Sequence, residues 1–285
     1  MADRTLIFHF SDIHFGLESN RALCWAEEQI ARCRPDAVVI TGDLTMRARH
    51  REFAAATQWI NALDVPVSVG VGNHDLPYFN LFERFFTPYR RFRGMAEKVE
   101  REIDLPQLSV IPLKTAVRAQ PRFNWSKGWV TDRALRKCLA AIDALPAGRQ
   151  ALVAVHHPLR EVGTEGTALT RNGMKALRAL ATRPVLAVLS GHVHDAFDIQ
   201  EETPDGPVRM IGAGTLSKRT RSTPPSFNEL RWENGALEVS VRNLEDAETL
   251  AMQVDDIPPD AMPPRVPGSP VAPIGRVPRV DPPVH

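Results

Sequence analysis

Cysteine is scarce, and Cys24, Cys33 and Cys138 have none of the close pairing of a zinc-binding motif. An odd number also argues against a disulfide framework, so free thiols in a reducing cytoplasm are expected. Cys24 and Cys33 share one helical stretch and read as core filler. No apolar run approaches the ~18 residues that span a membrane. The opening MADRTLIFHF has neither the basic start nor the apolar stretch of a secretory leader, and none is expected. Net charge is almost nil: 35 Lys and Arg against 34 Asp and Glu give +1, with the signs interspersed. Without a basic stripe, a dedicated nucleic-acid binder is disfavoured. The chain has no Walker-type phosphate loop and no G-x-S-x-G elbow, which disfavours a P-loop NTPase and a serine hydrolase.

What is present fits an ordinary globular protein: 285 residues, 43% hydrophobic and 24% charged. The first half alternates β-rich runs with helical ones. Leu6–Phe10, Ala37–Ile40 and Val65–Val71 read as strands, with helices over Arg21–Arg32 and Arg51–Leu63. Strands that are apolar throughout imply burial on both faces, and this alternation implies parallel pairing. Helix Arg133–Leu145, strand Ala151–Val155, helix Met174–Ala181 and strand Val185–Leu189 continue the theme. Phe197–Glu202, Val208–Ile211, Phe227–Trp232 and Leu237–Val241 are short strands joined by turn signals and read as antiparallel. The expected architecture is an α/β, four-layer α/β/β/α sandwich: two mixed sheets with helices on the outer faces. The later strands are expected to complete the second sheet.

Two stretches depart from this pattern. Residues 76–130 are rich in aromatics and arginine, among them Phe79, Phe82, Phe85, Phe86, Arg90, Arg91 and Arg93, and read as a cap-like insertion in a domain spanning 1–250. Residues 251–285 are dense in proline and without apolar periodicity, so a flexible tail is expected.

Five motifs each follow an apolar strand: Asp12-Ile13-His14, Gly42-Asp43, Gly72-Asn73-His74-Asp75, His156-His157-Pro158 and Gly191-His192-Val193-His194. Ligands of open α/β sheets collect at the carboxyl ends of strands, so these motifs are expected to share one pocket. Imidazole suits transition metals, carboxylate suits harder cations, and an aspartate can bridge two ions. The D-x-H and H-x-H spacings place both members on one side of an extended segment.

The order D-x-H, GD, GNHD, H, GHxH resembles the calcineurin-like metallophosphoesterase superfamily over about residues 5–245. Val155-His156-His157-Pro158 is similar to the class III cyclic nucleotide phosphodiesterases, although Leu159 stands where those enzymes often have a second proline. The resemblance implies a dinuclear site for two divalent ions (Mn, Fe or Zn). Asp12, His14 and His194 would hold the first, Asn73, His156 and His192 the second, and Asp43 both. His157 would support the site rather than ligate. The implied reaction is in-line attack of a metal-activated hydroxide on a small phosphodiester. His74 would serve the leaving group as catalytic acid, and Asp75 would orient its ring. A 3′,5′-cyclic nucleotide leads as substrate. A UDP-diacylglucosamine-type lipid-precursor pyrophosphatase and a non-catalytic metal-binding scaffold stay open. Asn124, Trp125, the three arginines and the Ser217-Lys218-Arg219 loop are candidates for substrate contact.

Overall fold

The computed structural model describes residues 4–122, 124–221 and 223–246. The proline-rich tail expected over 251–285 lies outside the described residues.

Short apolar runs become strands buried on both sides. β1 (Arg4–Phe10), β2 (Ala37–Ile40) and β3 (Val67–Val69) pair in parallel, and every residue of β2 is buried. Helix α1 (Asn20–Cys33) begins at Ser19, whose side chain accepts the Ala22 N–H, and ends at Arg34 in the left-handed region, just before Pro35. Helix α2 (His50–Ala62) buries Phe53, Ala56, Trp59 and Ile60. These faces pack with Phe8, Phe10, Val38 and Ile40 in one core.

Within the stretch read as an insertion lie helices α3 (Leu81–Phe86) and α4 (Arg90–Val99) and a strand not anticipated from the sequence, β4 (Leu108–Pro112). β4 is the edge of the second sheet and pairs in parallel with β5 (Gln150–Ala154). Helices α5 (Asp132–Asp143) and α6 (Gly173–Ala181) cover that sheet through Leu135, Cys138, Ile142, Leu177 and Leu180. β6 (Val185–Ser190) follows β5 in parallel. β7 (Phe197–Thr203) and β8 (Gly206–Gly212) form a hairpin whose second strand runs parallel to β6.

The last hairpin, β9 (Ser226–Glu233) and β10 (Ala236–Asn243), corrects one expectation. It completes the first sheet, antiparallel to β1, and not the second. Its apolar residues explain the choice: Leu230 pairs with Ile7, and Leu230, Trp232 and Leu237 fill the layer between the sheets. The two orders are β10-β9-β1-β2-β3 and β4-β5-β6-β8-β7. Ile7 and Val39 of one sheet meet Leu152, Leu189 and Ile211 of the other. Two mixed sheets face to face with helices outside give the α/β/β/α sandwich. Cys24 is exposed on α1 and is not core filler, whereas Cys33 is half-buried against the core and Cys138 is buried. Among the described residues no helix is long and apolar enough to cross a membrane.

Candidate metal centre

The five motifs leave the carboxyl ends of β1, β2, β3, β5 and β6, so the pocket forms where two sheets meet and not along one open sheet. Backbone bonds sew the loops together. Asp12 N–H donates to the Gly42 carbonyl at 3.0 Å, His14 N–H to Asp43 at 3.0 Å, and Gly191 N–H to His156 at 2.9 Å.

Local conformation differs from the extended geometry inferred from D-x-H and H-x-H. Asp12, His14, Asp43, His192 and His194 all have positive φ, from 51° to 70°. Non-glycine residues rarely adopt this region, and strain of this kind collects at functional sites. Two glycines make the crowding feasible. A Cβ on Gly72 would fall 2.1 Å from Asp43 Oδ1, and one on Gly191 1.7 Å from Ser11 Oγ.

The side chains form two clusters that share Asp43. In the first, His14 Nε2 and His194 Nε2 lie 3.3 Å apart, at 3.6 and 3.2 Å from Asp12 Oδ1. In the second, His156 Nε2 lies 3.1 Å from Asn73 Oδ1, with the His192 ring 5.2 Å from that of His156. Asp43 Oδ1 accepts the His74 N–H at 2.8 Å. Asp43 Oδ2 faces both clusters, 3.2 Å from His156 Nε2 and 4.0 Å from His14 Nε2.

Bonds on the far side of the rings fix which nitrogen turns inward. His156 Nδ1 donates to the Thr41 carbonyl at 3.0 Å and His194 Nδ1 to the Arg219 carbonyl at 2.5 Å, so both Nε2 atoms face the centre. Asp12 is held by Ser11 Oγ (2.6 Å) and the His192 N–H (2.7 Å), both on Oδ2. The buried Asp12 Oδ1 accepts no hydrogen bond. An orphan carboxylate oxygen ringed by imidazole nitrogens fits divalent cations, in the N/O mixture that transition metals accept.

Electrostatics agree with that fit. Burial pushes the Asp12 and Asp43 carboxyls up, but the surrounding imidazoles outweigh it and hold both well below the ordinary range. Burial pushes His156 down, yet Asp43 outweighs it and raises the ring to about 9. His192, buried and beside His156, falls to about 3. Two carboxylates held ionised at the centre favour positive charge there, whether on the imidazoles or on a cation.

His157 lies close enough to His156 and His192 to form a metal-holding group with them, yet both its nitrogens are engaged. Nδ1 bonds Thr115 Oγ1 and Nε2 donates to the Ser126 carbonyl, each at 2.8 Å. Asp75 corrects another expectation, since it makes no bond to the His74 ring. Its carboxylate accepts from the N–H groups of Thr45 (2.8 Å), Gly72 (2.9 Å) and Leu44 (3.3 Å) and from Thr45 Oγ1 (2.9 Å). Burial, reinforced by Asp43, raises it to about 6. Asp75 therefore clamps the Gly72 loop to the Asp43 loop, and the Met46 carbonyl holds His74 Nδ1 at 2.7 Å. A main-chain acceptor of this kind leaves no residue-type signal in the sequence.

A cavity of about 310 Å³ opens over Asp43, Asn73, His74, His192 and His194. Its rim carries Lys127, Arg219 and Arg221, and among the described residues Glu165 is the only carboxylate besides Asp43 on the wall. Arg219 reaches furthest in: Nη1 lies 3.1 Å from His74 Nε2 and 3.3 Å from His14 Nε2. Other candidates for substrate contact lie elsewhere. Arg90 and Arg91 bind Glu83, Arg93 lies over Tyr89, and Trp125 packs with Arg84 and Phe85.

Comparison with known proteins accords with this geometry. Residues 5–196 match the calcineurin-like phosphoesterase family. A probable glycerophosphodiester phosphodiesterase of Arcobacter nitrofigilis is 28% identical over 193 residues, 66% of either chain. A probable cyclic nucleotide phosphodiesterase of Pseudoalteromonas sp. is 26% identical over 208 residues, 68% of this chain and 73% of that one. The match thus spans about two thirds or more of these relatives' lengths. Among solved structures, a dimetal phosphatase of Danio rerio superposes with a TM-score of 0.59 at 15% identity, over 84% of this chain and 99% of that one. The lupin purple acid phosphatase PPD1 gives 0.62 at 16% identity, over 86% of this chain and 52% of that one. The chain belongs to the calcineurin-like phosphoesterases and is a metal-dependent phosphoric ester hydrolase.

Proposed function

We propose that this protein hydrolyses a small phosphodiester at a pair of divalent ions. Asp12, His14 and His194 would hold one ion and Asn73, His156 and His192 the other. Asp43 would join them. The observation that carries this reading is the Asp43 carboxylate: Oδ1 is fixed by the His74 N–H, and Oδ2 is offered to both clusters. Two ions, when bound, supply an activated water and clamp the phosphoryl oxygens.

The chain's own groups do the rest. Lys127, Arg219 and Arg221 draw an anion to the cavity mouth. Arg219 meets a phosphoryl oxygen with charge-assisted hydrogen bonds. With Nδ1–H on the Met46 carbonyl, His74 turns Nε2 to the departing alcohol oxygen, and a proton taken up on Nε2 from water would pass to that oxygen. Asp75 keeps the two loops that carry Asp43 and His74 in register.

A 3′,5′-cyclic nucleotide leads as substrate, since a cavity of about 310 Å³ suits a compact diester. A glycerophosphodiester is a second reading, supported by the names of two relatives, those of Arcobacter nitrofigilis and Enterobacter lignolyticus. Turnover of cyclic AMP, a glycerophosphodiester and a UDP-lipid by the Mn²⁺-loaded chain separates these readings from the lipid-precursor pyrophosphatase. Failure to hydrolyse even bis(p-nitrophenyl) phosphate with Mn²⁺ would instead favour the metal-binding scaffold.

A further inference from the structure

Helix α3 is inside out. Its buried residues are Glu83 and Arg84, while Leu81, Phe82, Phe85 and Phe86 are 59%, 73%, 40% and 70% exposed. Tyr78 and Phe79, on the loop leading into the helix, are 70% and 67% exposed. Six large apolar side chains within nine residues thus face outward.

The polar face fixes that orientation. Glu83 binds Arg90 at 3.2 Å and Arg91 at 2.8 Å, and Arg91 also donates to the Ala48 carbonyl at 2.7 Å. Arg84 donates to the carbonyls of Arg118 (2.8 Å) and Pro77 (3.3 Å) and stacks on Trp125. Turning the helix to bury its phenylalanines would break the bonds made by Glu83 and Arg84. The outward rings also order one another, with Phe82 and Phe86 centroids 4.6 Å apart and Tyr78 and Phe79 5.2 Å apart. An exposed apolar cluster held outward by the Glu83 and Arg84 contacts of its polar face marks an interaction surface.

The edges of the patch show what it meets. Arg47 lies over the Phe79 ring at 5.8 Å, and Arg118 donates to the Phe85 carbonyl at 2.9 Å. Arg93 and Arg90, the latter paired with Glu83, share a groove with Phe86 and Glu97. Aromatic rings bordered by arginines match an anionic lipid surface, with rings at the headgroup level and guanidiniums on the phosphates. A second copy of the chain would bring the same cationic border against itself. We propose that the Tyr78–Phe86 patch docks this enzyme on an anionic membrane surface.

The test is co-sedimentation of the full chain with vesicles of phosphatidylcholine alone or mixed equally with phosphatidylglycerol. Expected is binding to the mixed vesicles, about tenfold weaker in Phe82→Ser/Phe86→Ser. Because both rings are exposed, that variant keeps its circular dichroism spectrum and its hydrolysis of bis(p-nitrophenyl) phosphate. Arg47→Gln/Arg93→Gln weakens binding to the mixed vesicles, by about fivefold per charge removed. Equal binding by the wild type and the phenylalanine variant overturns the proposal, as does no binding to either vesicle. So does a lipid-free dimer that the phenylalanine variant converts to monomer, since the patch would then pair two copies.

Discussion

The Nδ1–H of His74 donates to the Met46 carbonyl at 2.7 Å, which leaves Nε2 facing the cavity, 3.1 Å from Arg219 Nη1. Removing a general acid matters only where the leaving group needs protonation. His74→Ala is therefore expected to slow alkyl diesters by about a hundredfold or more and p-nitrophenyl diesters far less. Rates across a series of leaving-group pKa values check this. Equal loss on all esters would leave His74 without that role.

Asp75 acts at a distance from the chemistry, through four donors on two loops. Asp75→Ala orphans the buried N–H groups of Gly72, Leu44 and Thr45. The expected loss is about 3 kcal/mol of stability, read as a lower midpoint in urea. The residual enzyme keeps the leaving-group dependence of the wild type, because the His74 ring is held by Met46. A leaving-group pattern like that of His74→Ala would restore the pairing that the sequence suggested.

Arg219 contributes through two different atoms. Its carbonyl accepts from His194 Nδ1, and its guanidinium enters the cavity. Substitution leaves the carbonyl in place. Arg219→Ala is thus expected to retain bound metal, measured by elemental analysis, while KM for a diester and the inhibition constant for inorganic phosphate rise about tenfold. Arg219→Lys recovers part of the loss, since it restores charge without the planar fork.

The cysteines give a test of the fold that is independent of activity. Burial raises the Cys138 thiol to about 12, and it packs in the core beneath α5 and α6, whereas Cys24 is exposed. Iodoacetamide at pH 8 is expected to label Cys24 in the native chain and Cys138 only after denaturation. Mass spectrometry of the labelled peptides reads the difference.

Much of the site was legible because its chemistry sits in short motifs at strand ends. Asp12, His14, Asp43, Asn73, His156, His192 and His194 converge as their spacing suggested. The local geometry was not legible: both members of D-x-H and of H-x-H have left-handed backbone, which a strand-based reading of the spacing cannot anticipate. Topology was harder still. β9 and β10 read as generic antiparallel strands, and only the shape of the inter-sheet layer assigns Leu230 and Trp232 beside β1. β4 was missed because its polar Ser109 and terminal Pro112 weaken the strand signal. Asp75 and Met46 were misjudged or overlooked because their roles rest on main-chain groups about thirty residues away in sequence.

The central claim is that paired divalent ions at the Asp43 carboxylate make this chain a hydrolase. The most direct measurement is hydrolysis of bis(p-nitrophenyl) phosphate by the chelator-stripped chain as Mn²⁺ is returned. The account predicts no turnover in the stripped chain, restoration by Mn²⁺ once two ions are bound, and loss of that restoration in Asp43→Ala. Full activity in the stripped chain, or an Asp43→Ala chain that recovers as the wild type does, would contradict it.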